Sequence, residues 1–166
     1  MAKEIKEKVR AAELQLVIFR LANEEFAVPI AQVREIIRIQ NITPVPKAPI
    51  YLEGVINLRG QIIAVMDLAK RFGLEVPGRS EKARIVVSEA HGNTVGLIVD
   101  EVPEVLRLPE DQVEPTPEML QTQVHAEFIR GVGKYGDRLL VLLDMDKIIS
   151  SQEAREVQEI AGKDEK

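Results

Sequence analysis

Gly54-Val55-Ile56-Asn57-Leu58-Arg59-Gly60-Gln61-Ile62-Ile63-Ala64-Val65-Met66-Asp67-Leu68 is the stretch that decides the fold. Val55 to Leu58 and Gln61 to Met66 are apolar, β-branched runs of strand length, and Arg59-Gly60 supplies a two-residue turn between them. Asp67 stands where an N-cap belongs, ahead of a short helix from Leu68 to Phe72 that Gly73 closes. Upstream, Leu14 to Leu21 is rich in β-formers, Ala22-Asn23-Glu24-Glu25 reads as a turn, and Phe26-Ala27-Val28 as the returning strand. Pro29 suits a first helical turn, and the spacing of Ile30, Val33, Ile36 and Ile37 predicts a short helix over Ile30–Ile36. Pro44, Pro46 and Pro49 make the next stretch an extended connector.

The chain then repeats itself. Slid along the sequence, Gly54–Phe72 lies on Gly131–Ile149, pairing Gly54-Val55 with Gly131-Val132, Asp67 with Asp144 and Lys70 with Lys147. With a slightly smaller offset, Leu14–Arg38 lies on Ala83–Arg107, so that Ala22-Asn23 meets His91-Gly92 and Val33, Glu35 and Arg38 meet Val102, Glu104 and Arg107. Caps and turns stay in register, which points to duplication of one β-rich unit. Each unit offers about five short strands, too few for a sandwich but suited to a small closed barrel without vulnerable edges. The sequence thus predicts a mainly β fold of two five-stranded barrels, with an N-terminal helix or arm over 1–13, a first barrel over 14–82 and a second over 83–149. Ser150 and Glu153 form a capping-box pattern that opens a C-terminal helix in 150–166, docked through Val157 and Ile160. Two barrels side by side are expected to leave a groove between them.

Composition narrows the class. Of 166 residues, 45% are hydrophobic and 30% charged, enough for a packed core and against wholesale disorder. No apolar run approaches the roughly 20 residues of a membrane helix, and the charged N-terminus lacks the apolar core of a secretory signal. A cytoplasmic protein without direct membrane insertion is the expectation. Cysteine is absent, which removes disulfides and thiol chemistry. Lys+Arg number 22 against 27 Asp+Glu, and the only aromatics are four Phe and two Tyr. Neither a basic stripe nor stacking platforms are present, so nucleic acid is disfavoured as a partner.

Catalytic readings fail one by one. Gly131-Val132-Gly133-Lys134-Tyr135-Gly136 matches GxGxxG, but a strand-like run, Leu139 to Leu143, follows where the dinucleotide motif needs a helix N-terminus. Hairpin glycines are the better reading, and a small nucleotide-binding β protein is the weaker alternative. His91 and His125 are the only histidines and have no ligand-type neighbour at helical spacing, so no metal site is assigned. Asp67 and Asp144 read as caps, and no serine has a nucleophile context. No enzyme activity and no cofactor are expected.

The segment Gly54–Leu68 resembles the signature stretch of the CheW family, the coupling proteins of bacterial chemotaxis. The likeness extends over Phe26-Ala27-Val28-Pro29-Ile30, Val33-Arg34-Glu35-Ile36, the Pro44–Pro49 connector, Gly96 to Val102, and Gly131-Val132-Gly133 with Asp137 to Asp144, about Leu14 to Ile149 in all. Ala64 departs from the family's usual proline. The resemblance implies two SH3-like barrels and a non-enzymatic adaptor bridging the cytoplasmic tip of methyl-accepting chemotaxis receptors to the regulatory domain of the CheA histidine kinase. A regulatory CheW-like module of another two-component kinase pathway is the alternative. The receptor-binding candidates of the groove are Ile30, Val33, Glu35, Asn57, Arg59, Val99 and Val102. The resemblance moves Val33, Val99 and Val102 towards partner contact and ties the turn Arg59 to receptor coupling. Glu35 is its candidate partner because both should lie at the first barrel's groove side. Ile36, Gly54 and Val55 are the kinase-side candidates, Gly54 because a backbone could approach closely where no side chain stands.

Overall fold

The structure is a computed structural model that describes residues 13–75, 78–115 and 126–164. The N-terminal arm before Glu13 and His125 lie outside the described residues.

Eleven strands are described: β1 (Glu13–Leu21), β2 (Glu24–Pro29), β3 (Val33–Arg38), β4 (Leu52–Leu58), β5 (Gln61–Asp67), β6 (Arg84–Ala90), β7 (Asn93–Val99), β8 (Glu101–Pro109), β9 (Val113–Glu114), β10 (Ile129–Tyr135) and β11 (Arg138–Leu143). Three α-helices accompany them: α1 (Leu68–Phe72), α2 (Met145–Ile148) and α3 (Ser151–Asp164). The strands form two curled sheets, one ordered β8-β1-β2-β11-β10-β9 and the other β3-β6-β7-β5-β4. The mainly β, duplicated, SH3-like architecture expected from the sequence is present.

The division of the chain between the sheets is not the expected one. The sheets do not follow 14–82 and 83–149, because each copy gives its first hairpin to the other. Hairpin β1–β2 lies in the sheet of β8, β10 and β11, and hairpin β6–β7 lies in the sheet of β3, β4 and β5. The exchange is symmetric to the residue. Parallel β2 and β11 pair Phe26 with Val141 and Ala27 with Leu142, while parallel β7 and β5 pair Val95 with Ala64 and Gly96 with Val65. These are equivalent positions of the two copies in the repeat alignment. Even the bulges recur, with Glu53 the extra residue on β4 and Arg130 on β10.

The predicted helix over Ile30–Ile36 is a correction. Only Ile30–Gln32 turns, as a single 3₁₀ turn, and Val33–Arg38 is strand β3. Its side chains alternate between half-buried and exposed, period 2, and β-branched Val33, Ile36 and Ile37 suit a pleated strand better than a helix.

Because strands alternate, each sheet feeds two cores. Leu16, Ile18, Ala27, Leu106, Leu140 and Leu142 fill the inside of the six-stranded sheet, and Ile56, Ile63, Val65, Ile85, Val87 and Ile98 that of the five-stranded one. The opposite faces meet in a third and larger core between the sheets. All four phenylalanines of the chain line up there, Phe19–Phe26–Phe72–Phe128, with centroids 5.8, 6.2 and 5.2 Å apart. The space expected as a groove between barrels is therefore filled where these faces meet. Helix α3 closes one side by burying Ala154 and Val157, and its capping box is made as predicted, Glu153 N–H donating to Ser150 Oγ and Ser150 N–H to Glu153 Oε1, both at 3.0 Å. Arg71 ties the helix down, donating to Ile148 O and Glu153 Oε1, while Tyr51 donates to Glu153 Oε2.

Candidate functional site

The turn Arg59-Gly60 is built before it can present anything. Arg59 has φ 51° and Gly60 φ 87°, both positive, as a type I′ hairpin requires. Asn57 locks it, its Oδ1 accepting from Gly60 N–H at 2.8 Å. A left-handed arginine is strained, and its place at the tip of the hairpin leaves the side chain 69% exposed. From there the guanidinium forks onto Glu35 of β3, Nη1 donating to Oε1 at 3.1 Å and Nη2 to Oε2. That hydrogen bond, ahead of simple charge attraction, holds the Glu35 carboxyl below its usual range. Glu35 and Arg59, distant in sequence, form the pair the sequence suggests.

Around this pair the predicted groove set separates into surface and interior. Ile30 is 38% exposed, and Val33 and Val102, equivalent positions of the two copies, pack half-buried on the edge of the central core. Asn57 is exposed. Val99 is wholly buried, so its side chain offers a partner no surface. Among the kinase-side candidates, Ile36 is 37% exposed and Val55 is buried. The close backbone approach expected at Gly54 exists, but the approaching backbone is the chain's own. A Cβ on Gly54 would stand 2.1 Å from Thr43 O, because Thr43 pairs with Val55 as an extra bridge on the edge of β4. Among the described residues strand β3 has one strand partner, β6, and stands at the edge of its sheet.

The second barrel carries a related pair that the sequence reading missed. Glu104, the mate of Glu35, accepts from Arg138 Nη1 at 2.7 Å, and the same guanidinium also donates to Glu25 of β2. Carrying Glu35 through the repeat alignment points to Glu104. The cation does not follow, because the mate of Arg59 is Gly136. In that turn only Gly136 has positive φ, as in a type II′ turn, so the arginine enters two positions later, on β11.

The glycine motif Gly131–Gly136 lies in the β10–β11 hairpin and no helix follows it. Asp67 and Asp144 cap α1 and α2, accepting from Lys70 and Asp146 N–H. His91 bonds the carbonyls of Asp146 and Ile149. Among the described residues no group of three metal-ligating side chains gathers, and no helix is long and apolar enough to cross a membrane.

Residues 15–153 match the family profile described as the CheW-like domain. The chain belongs to the CheW-like family. It is 35% identical over 147 residues to the chemotaxis protein CheW of Klebsiella aerogenes, covering 89% of this chain and 88% of that one. The chemotaxis protein CheW of Treponema pallidum is 33% identical over 153 residues, 90% of this chain and 89% of that one. Among solved structures, the scaffolding protein TtCheW of Thermoanaerobacter tengcongensis superimposes with a TM-score of 0.78 at 36% identity, over 84% of this chain and 94% of that one. Chemotaxis, a scaffold or adaptor class and a double β fold follow from that membership.

Proposed function

We propose that this CheW-like protein is a non-enzymatic adaptor that couples the cytoplasmic tip of methyl-accepting chemotaxis receptors to the regulatory domain of the CheA histidine kinase. The observation that carries the reading is the exposed Glu35–Arg59 pair, held by a strained turn on a chain of this family. An exposed pair of this kind adds little to stability, which leaves recognition as its use. Ile30, Val33 and Val102 supply apolar surface for the face of a receptor helix, with Glu35, Asn57 and Arg59 fixing its register. Ile36 lies on the opposite face of β3 from Glu35, since successive strand side chains alternate, and it serves the kinase. Val99, Gly54 and Val55 act from beneath, by holding these surfaces in shape. Recruited through its partners, the protein works at membrane arrays without inserting. The test is retention of the purified chain by a CheA regulatory domain and co-sedimentation with receptor cytoplasmic fragments. Capture by neither partner overturns the reading.

A further inference from the structure

The duplication places a cleft at the same end of both barrels, in two chemical versions. On the five-stranded sheet a cleft of about 550 Å³ is walled by Arg38, Ile39, Ser80, Glu81, Lys82 and Arg84. On the six-stranded sheet one of about 410 Å³ is walled by residues that include Glu13, Gln15, Ile30 and Arg107. The repeat alignment carries Arg38 to Arg107 and Gln15 to Arg84, and the residue just ahead of it, Glu13, falls on Lys82 at the same offset. In the second version Arg107 stands directly opposite Gln15, an ordinary cross-strand neighbour. In the first, Arg38 stands directly opposite Arg84, and like charges in that position weaken a sheet. Arg38 and Lys82 make no side-chain hydrogen bond or ion pair with any described residue. Among the described residues, the Arg84 side chain donates only to the carbonyls of Glu81 and Ala83, at 2.9 and 2.8 Å. Among the described residues lining the cleft, Glu81 is the single carboxylate beside three cations, in a chain whose net charge is −5, so the basic character is local.

We propose that the Arg38–Lys82–Arg84 cleft is a docking site for an acidic, carboxylate-bearing segment of a partner protein. Carboxylates are favoured over a phosphate group because two neighbouring backbone donors that could start a phosphate cradle are already committed, Lys82 N–H to Ser80 Oγ at 3.1 Å and Ala83 N–H to Ser80 O at 3.2 Å. The recognition falls to guanidinium forks, which match carboxylates two bonds at a time. Half-buried Ile39 gives an apolar floor, and edge strand β3 allows an extended segment to lie alongside. An acidic occupant would also relieve the Arg38–Arg84 repulsion, which gives the site a reason to exist that its mate lacks.

The experiment is fluorescence anisotropy of labelled hexaglutamate on the full chain at low ionic strength. Wild-type protein is expected to bind, more weakly as salt is added. The R38Q/R84Q double variant should bind at least about tenfold more weakly while remaining folded, because the repulsion it removes offsets the two carbonyl bonds that Arg84 gives up. Arg107→Gln, in the mate cleft, should bind as wild type does. The proposal is overturned if wild type does not bind, if the double variant binds equally well, if Arg107→Gln loses as much, or if inorganic phosphate displaces the peptide as effectively as unlabelled hexaglutamate. None of these outcomes depends on the CheA or receptor assignment, so the two readings fail separately.

Discussion

The two barrels are built on one plan, and they use the same two features, a close-packed glycine and a Glu–Arg pair, in opposite ways. In the five-stranded sheet Gly54 has φ 151° and sits under Thr43, while the pair Glu35–Arg59 is left at the surface. In the six-stranded sheet Gly131 has an ordinary φ, and the pair Glu104–Arg138 is tied to a third residue, Glu25. One barrel spends its tightest packing on backbone and frees its ion pair for recognition. The other locks its ion pair across strands β2, β8 and β11. A duplicated fold can thus divide labour without changing topology.

The largest effect is expected at Gly54. Gly54→Ala sets a Cβ 2.1 Å from Thr43 O in a backbone region L-residues avoid, and should cost on the order of 3–5 kcal/mol in denaturant unfolding. Gly131→Ala meets Glu114 O at 2.7 Å, but without the strained φ and beneath the two-residue strand β9, so roughly 1–2 kcal/mol is expected. Equal costs would break the contrast between the glycines.

Arg138→Ala comes next. It leaves Glu25 and Glu104 without their shared cation and should lower stability by about 1 kcal/mol, with a visible fall in melting temperature. Arg59→Ala, the counterpart, should leave the melting temperature unchanged yet weaken receptor co-sedimentation. Equal thermal losses in both variants would make Arg59 structural as well.

The smallest effect concerns the anchor of α3, which has no counterpart among the described residues of the other half. Burial, followed by the hydrogen bond to the Glu153 carboxylate, pushes the Tyr51 phenol up to about 12. A folded-state pKa above the unfolded value of about 10 means the stabilisation is complete below that pH and fades as the pH climbs toward 12. Wild type should therefore lose a small increment of stability across this window, and Tyr51→Phe should flatten that part of the alkaline unfolding curve.

Much of the site is legible in the sequence because it is local. Asn57, Arg59 and Gly60 belong to one turn, and the turn type follows from the residues themselves. Glu35 as the partner of Arg59 comes from placing both on one barrel. The helix expected over Ile30–Ile36 fails because apolar residues spaced by three and then one also fit a β-branched strand after a single 3₁₀ turn. Val99 and Val55 read as surface because apolar residues in strands look alike whether they face a partner or a core.

The sequence by itself determined the duplication, the caps at Asp67 and Asp144, the turns at Ala22-Asn23 and His91-Gly92 and the capping box at Ser150, since each depends on residues a few positions apart. Only the tertiary structure decided that the copies exchange their first hairpins and that the space between the sheets is packed with all four phenylalanines. The physical reason is symmetry. Both copies offer a hairpin equivalent strands, so an exchanged and an unexchanged pairing share the same repeat pattern, and what separates them is which side chains meet across the chain.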